Sequence, residues 1–517
     1  MMGTQARMFT PILISSLDDL VPTNHFYRQL DRILDLSFVR ELVQATYAEV
    51  GRPSIDPVVF FKLQLVMFFE GIRSERQLVC LAADRLSVRW YVGYNLDEPL
   101  PDHSSLTRIR ARYGVAVFRR FFEVIVEQCQ QAGLVWGREL YFDATQVYAN
   151  AALDSLTARF AVEARAAARG LPPPEAEHAS HAAQQAVDAH LTALFGASGE
   201  TSQSPPAGMP RPLPRRLSAA QHAELESANA ARHDWIAEDG RQQRAVRGAY
   251  QRTADLRVST TDPDATPMRL KGGGTHLGYQ THYVVDGGRK RVILGVLVAP
   301  GEVMENQPML DLLWQARFRW KLRVRQVTGD TKYGTVQNIR AVEDMGIRAY
   351  VPLPDWEQNS PYFGAAKFTY DAEHDHYVCP NRAVIRRTHN DETRQRVLYR
   401  APAATCRACP LKAQCTPATK TGRAIYRSFG EEYLERVQTY QSTAAYHKAL
   451  RKRQVWVEPL FAEAKAWHGL RHFRLRGLWR VNCEALLTAA GQNLKRLLTK
   501  QGLGRRPLPS GAALVGT

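Results

Sequence analysis

Apolar residues recur at three- and four-residue spacing through SLDDLVPTNHFYRQLDRILDL, IDPVVFFKLQLVMFFEGI, SERQLVCLAADRLSVRWYVGY and HSSLTRIRARYGVAVFRRFFEVIVEQCQQAG, which predicts an all-helical domain over residues 1–130. Ser74 with Gln77, and Ser104 with Arg108 nearby, mark helix starts, while Pro99, Pro101 and Asp102 break the chain between them. A bundle of this size with exposed arginines suits DNA binding, or dimerisation and packing. From Glu139 the period shortens to two. ELYFDATQVYANA alternates and is rich in Tyr, Phe and Val, so it predicts a strand. Strand patterns resume at HLGYQTHYVVD and RVILGVLVAP. A helix at NQPMLDLLWQARFRWK, a strand at RVRQVTGD, a helix at VQNIRAVEDMG and a strand at IRAYVPLP follow. Three strands and then alternation predict an α/β fold with a mixed sheet.

Two stretches interrupt this pattern. Residues 153–250 are rich in Ala, Gln, Glu and Arg around a Pro/Ser-rich centre that buries too little apolar area to order itself, which predicts a helical, partly disordered insertion. Residues 354–429 carry most of the cysteines and read as a second insertion. The core is thus expected from 138–152, 251–353 and 430–500, the last part helical, and 501–517 as a loose tail.

Charge narrows the partner. Lys and Arg number 68 against 51 Asp and Glu, a formal net charge of +17, and residues 421–506 alone hold seventeen basic against six acidic residues. A polyanion becomes the expected partner, because counterion release drives such binding. No run of about eighteen apolar residues exists, and the N-terminal stretch turns acidic too early for a signal peptide, so a cytoplasmic, nucleoid-associated protein with no membrane contact is expected. No G-x4-G-K-[ST] loop accompanies Gly272–Gly274, so ATP is not implied.

Within the basic region, VEPLFAEAK sets a carboxylate among cations. On a helical wheel Val457, Leu460, Phe461 and Ala464 form an apolar stripe. Glu458, Ala462, Lys465 and Gly469 fall along one edge of it, and Glu463 projects from the other. Phosphoryl transfer at DNA uses two divalent cations roughly 3.5–4 Å apart, and hard cations take carboxylate oxygens, so acids at the ends of core strands are expected partners for Glu458. Asp143 in YFDAT and Asp330 at the end of RVRQVTGD fit; each could instead cap a turn or helix. Asp154, Asp262, Asp264, Asp286 and Asp311 compete. Asp286 reads as a turn residue and Asp311 as a surface residue of an amphipathic helix, while Asp262 could lie beside the site.

YFDATQVYANA, STTDPDA, HLGYQTHYVVD, VTGDTKYG and R-K-R-x4-E-P-L-F-A-E-A-K-x2-H-G-L-R-x4-R-G together resemble the DDE-type insertion-sequence transposases of bacteria, as does the N-terminal IDPVVFFKLQLVMFFEGIRSERQL. The resemblance covers most of the chain and implies an RNase H-like catalytic core. It makes Asp143, Asp330 and Glu458 the triad holding two Mg2+ (or Mn2+) ions, and Lys465 the lysine seven residues after the glutamate. The related Y-x2-R-x3-E-x6-K signature would place Tyr and Arg at 451 and 454. The chain has Arg451 and Gln454 there, which leaves those contacts to Arg451 or Arg453. The implied activity is metal-dependent hydrolysis at the element's terminal inverted repeats, then attack of the freed 3′-hydroxyl on target DNA, by a homodimer on double-stranded DNA. A catalytically inactive DNA-binding regulator and a nuclease of the same fold without strand transfer are the competing readings.

Cys406, Cys409 and Cys415 form C-x2-C-x5-C, and Cys379 precedes them in a Cys-Pro turn, enough thiolates for a tetrahedral, structural Zn2+ site. Similar transposases carry a comparable cysteine insertion; unligated thiols, or a site using His374 or His376, are the alternatives. Arg471, Arg474, Arg476 and Arg480 follow the glutamate helix, and guanidinium groups fork onto phosphate oxygens, so Arg471, Arg474 and Arg476 are expected DNA contacts, with Lys332 a further one.

Overall fold

A computed structural model describes residues 16–47, 54–158, 257–269, 273–353 and 360–502. Its contacts divide into two compact units. One takes the described residues of Met1–Leu134, Ala462–Leu475 and Trp479–Thr517; the other takes those of Val135–Phe461 and Arg476–Leu478. No helix among the described residues is long and apolar enough to cross a membrane.

The first unit is helical, with α1 (Leu17–Leu20), α2 (Phe26–Ile33), α3 (Phe38–Val43), α4 (Pro57–Glu70), α5 (Glu75–Asp84), α6 (Leu86–Val92) and α7 (His103–Gln131), joined by most of the long final helix Leu478–Lys500. Ser74 caps α5, its hydroxyl accepting from Gln77 N–H at 3.4 Å. The start expected at Ser104 is instead capped by Asp102, which accepts from Ser104 N–H at 2.8 Å; a carboxylate is the stronger acceptor for a helix's free N–H groups. The expected single helix over 74–94 is two, because Arg85 is extended (φ −99°, ψ 106°) between α5 and α6. The next expected helix is broken at Gly114, whose φ of 63° and ψ of −179° suit glycine alone. Periodicity hides both breaks, since the apolar spacing runs through them. Phe60, Phe61, Phe118 and Phe121 fill the centre, with the Phe61 and Phe121 rings stacked at 4.4 Å.

The second unit is mixed α/β. Its main sheet comprises β1 (Glu139–Tyr148), β4 (Thr266–Arg269), β5 (Thr275–Asp286), β6 (Ile293–Pro300), β7 (Gln326–Thr328) and β8 (Arg348–Tyr350). β5 pairs antiparallel with β1 on one side and with β4 and β6 on the other; β7 lies parallel to β1, and β8 parallel to β7. Every residue of β6 is buried, and the helix Met309–Arg319 packs on β5 and β6. A short pair, β2 (Leu156–Ala158) with β3 (Arg257–Ser259), brings residues 158 and 257 side by side. The insertion expected at 153–250 otherwise lies outside the described residues. The cysteine-bearing region forms its own antiparallel sheet, β9 (Thr369–Asp371), β10 (His376–Val378), β11 (Val384–Asp391), β12 (Arg396–Arg400) and β13 (Ala424–Ser428), around Phe368, Tyr377, Ile385, Tyr399 and Ile425.

One surface expectation is corrected: Asp311 is buried on its helix. Asp286, read as a turn residue, is fully buried at the end of β5. The Asp286 carboxylate accepts from the N–H groups of Trp136, Gly137 and Gly288 at 2.7–3.0 Å, so it fixes a turn from inside.

Candidate active site

Strand pairing brings the first two acids together. In the parallel ladder Tyr141 lies opposite Thr328, so Asp143 and Asp330, each two residues further on, emerge at the same level from neighbouring strands. Their separation of 187 residues disappears in the sheet. Asp330 caps the short 3-10 turn Thr331–Tyr333, with one carboxylate oxygen accepting from Lys332 N–H at 2.9 Å. The turn is tight: a Cβ on Gly329 would approach the Tyr333 ring to 2.7 Å.

The third acid arrives from the late helices. Ala444–Trp456 ends at Val457, and Glu458 opens the next helix, Glu458–Trp467. Val457, Leu460, Phe461 and Ala464 are all buried, as the wheel requires, whereas Gly469 lies beyond the helix end with φ 72° and so leaves the expected edge. Glu458 is exposed. Arg453 links the two acids, its guanidinium donating to Asp143 Oδ2 at 3.0 Å and standing 3.9 Å from Glu458 Oε1.

Burial pushes the Asp143 carboxyl up to about 6, against the opposing pull of Arg453, and the charges of Asp330 and Glu305 push the same way as burial. Glu305 was not anticipated. It lies in the loop GEVMENQP after β6, is 8% exposed, and accepts from Lys332 Nζ at 2.5 Å. An acid at the exit of a strand parallel to β1 is the signal that could have found it. Tyr333, fully buried beneath these acids, has its phenol held well above the usual range by burial and then by the charges of Asp143, Glu305 and Asp330.

Oxygen donors of this kind suit Mg2+ or Mn2+, and two basic side chains stand among them, Arg453 paired with Asp143 and Lys332 with Glu305. Among the described residues, the one group of three or more ligating side chains with donor atoms all within 4.8 Å of one another is Asp371, His374 and His376 on the β9–β10 turn. Asp143, Asp330 and Glu458 are neighbours without being drawn that close.

Asp262 has other partners. It is fully buried, and its Oδ1 accepts from Tyr279 O–H at 2.7 Å and Gly477 N–H at 3.0 Å, while Asp264 accepts from Leu478 N–H at 2.6 Å. These two aspartates brace the backbone around residue 477.

The expected DNA contacts divide. In the second unit Arg451 and Arg476 are exposed, the Arg476 Nε donating to Asn150 O at 2.9 Å, and Lys332 and Arg453 are engaged with carboxylates. In the helical unit Arg471 is exposed, and Lys465 is partly buried, its ammonium pKa lowered by burial and by Arg471. Arg474 turns inward: it stands 3.3 Å from Glu75, and its backbone N–H is donated to Glu484.

Cys379, Cys406, Cys409 and Cys415 line one cavity in the cysteine-bearing sheet region. Two of the sulfurs accept backbone N–H groups, Cys379 from Ala383 at 3.3 Å and Cys406 from Arg423 at 3.4 Å.

Residues 15–112 match the family described as "Transposase domain (DUF772)", and residues 378–498 match that described as "Transposase DDE domain". The second match contains the four clustered cysteines and Glu458; Asp143 and Asp330 precede it. No curated protein and no solved structure matches the chain.

Proposed function

Because the chain belongs to the DDE-type insertion-sequence transposases, we propose that it binds the terminal inverted repeats of its own element as a homodimer, cuts DNA strands there by metal-dependent hydrolysis, and joins the 3′-hydroxyl ends to target DNA. The observation that carries this reading is the level placement of Asp143 on β1 and Asp330 just past the parallel neighbour β7, with Arg453 linking Asp143 to Glu458. The strand order β6–β5–β1–β7–β8, antiparallel across the first three and parallel across the last three, supports an RNase H-like core.

Asp143, Asp330 and Glu458 would hold Mg2+ or Mn2+, which when bound supplies an activated nucleophile and charge stabilisation at the leaving oxygen. The chain's own part is placement. Burial of Asp143 makes its charged form costly and so ready to take a cation, and the 3-10 turn fixes Asp330 against it. Exposed Arg451, Arg471 and Arg476 would grip phosphates, with Lys465 following Glu458 along its helix by two turns. A nucleoid-associated, cytoplasmic protein accords with this partner.

The test is magnesium-dependent cleavage and joining of labelled DNA that carries the flanking inverted repeats. Wild type is expected to cut and join, and Glu458→Ala to bind the same DNA while losing at least about a hundredfold in both steps. Cutting without joining would make the protein a nuclease, and binding alone by wild type would make it a regulator.

The four cysteines would hold a structural Zn2+, their sulfurs being soft donors already supplied with N–H groups. Cys406→Ser is expected to lower the zinc content of the purified chain by about one ion and to loosen residues 360–428 to limited proteolysis. Unchanged zinc content would reject the assignment.

A further inference from the structure

Glu305 has no task in the reaction just described, yet its position is specific. β6 runs parallel to β1, since both pair antiparallel with β5: Tyr148 faces Gly278, and the next residue, Tyr279, faces Pro300. The exit of β6 therefore lies at the same end of the sheet as the exits of β1 and β7, with Asp330 just past β7 and Asp143 within β1, level with Val296 of β6. Two ties fix the β6 exit loop to the turn after β7. Lys332 Nζ donates to Glu305 Oε1 at 2.5 Å while Lys332 N–H donates to Asp330 Oδ1 at 2.9 Å. Asn338 Nδ2 donates to Asn306 O at 3.1 Å and to Tyr333 O at 3.5 Å.

A carboxylate that is 8% exposed carries a desolvation cost, and its basic partner Lys332 has a side chain 55% exposed. A lysine so placed could pair with an exposed acid at no such cost, so the pair alone does not explain why the acid is inside. Arg453 stands in the same relation to Asp143, which is 9% exposed. Two buried acids, Glu305 tied to the turn that holds Asp330 and Asp143 on the neighbouring strand β1, each met by a basic side chain from another element, describe a site that demands cations.

We propose that Glu305 is a fourth carboxylate of the cation site formed by Asp143, Asp330 and Glu458, and that Lys332 is its counterion while no divalent ion is bound. This rests on the metal-site reading of the triad. Glu305 closes the side of the site formed by the β6 exit, either meeting the ion or holding its water shell, and Lys332, once released, is free to meet a phosphate of the DNA.

Mn2+ titrations of the full chain, followed by the electron paramagnetic resonance of the free ion, test this alongside the Mg2+ dependence of cleavage. Glu305→Gln is expected to raise the half-saturating Mn2+ concentration about 10- to 100-fold, the range found when a group supporting a metal site is lost. Lys332→Met is expected to lower it, because a competing cation is gone; the double variant Glu305→Gln with Lys332→Met removes both charges together and serves if either single variant is unstable, with Mn2+ binding weaker than wild type expected. Wild-type titration by Glu305→Gln or by the double variant would overturn the proposal, as would weakened Mn2+ binding by Lys332→Met, which would reduce the pair to a brace. Asp143→Asn separates the two levels. If it too titrates like wild type, the metal-site reading fails; if it loses Mn2+ while Glu305→Gln keeps it, the role of Glu305 alone fails.

Discussion

Asp143→Asn is expected to abolish cleavage, by about three to four orders of magnitude, and at the same time to stabilise the folded chain at neutral pH. On the proposed metal-site reading, the loss of activity follows from removing a buried carboxylate of the triad. The gain in stability follows from the carboxyl's shifted titration. Its pKa is about 6 in the folded chain against an ordinary value of 3.8, with burial as the main cause. Between those values the folded state holds a proton that the unfolded state has given up. Stability therefore falls as pH rises from about 4 to about 6 and stays lowered above that window. Two units correspond to about 3 kcal/mol, and Arg453 loses a partner in the variant, so the net gain at pH 8 is expected at about 1–3 kcal/mol, vanishing below about pH 4. Denaturation midpoints of wild type and variant at pH 8 and pH 4 check this. A variant less stable than wild type at pH 8 would show that the Asp143–Arg453 pair holds the fold rather than straining it.

Glu75→Ala is expected to destabilise the helical unit by about 3–5 kcal/mol, the cost of leaving the buried Arg110 guanidinium without its acid. Glu75 receives the Arg110 guanidinium, the Arg474 guanidinium at 3.3 Å and the Thr107 hydroxyl at 3.0 Å. Arg110 is 2% exposed, and burial with the nearby charge of Arg474 brings its pKa down to about 9. Without Glu75 that guanidinium has no acid within reach of an ion pair among the described residues. Urea denaturation followed by far-ultraviolet circular dichroism should show an earlier helical transition in the variant; an unchanged midpoint would mean that water solvates Arg110 on removal of the acid. The same contacts set Arg474 apart from Arg471. An arginine spent on Glu75 is a poor phosphate ligand, although its position in LRHFRLRG is indistinguishable in sequence from that of its neighbours.

Much of the fold was legible where one period ruled a long stretch. β1, β5, β6 and the helices at 309–319 and 336–344 fall where the apolar runs and three-and-four spacing placed them, because the apolar residues that each element buries are displayed directly in the sequence. Short strands were less visible. RVRQVTGD yields only Gln326–Thr328, and the five strands of the cysteine-bearing sheet were not anticipated, since their exposed faces carry Arg and His in no clean alternation. For the candidate site, the sequence offers Asp143, Asp330 and Glu458, whereas the burial of Glu305 is invisible in it, because an isolated glutamate in a loop looks like any solvated one.

The sequence by itself determined the type of the long periodic elements, the concentration of positive charge and the candidate acids, all of which are properties of local composition and spacing. Tertiary structure alone decided which of those groups meet. The parallel register of β1 with β7 sets Asp143 level with Asp330, the end of one helix at Trp456 lets Arg453 reach both Asp143 and Glu458, and Lys332 ties Glu305, in the loop after β6, to the turn after β7. Burial, and with it the pKa of Asp143 and the inward turn of Arg474, depends on atoms contributed from distant parts of the chain, and no local pattern encodes that.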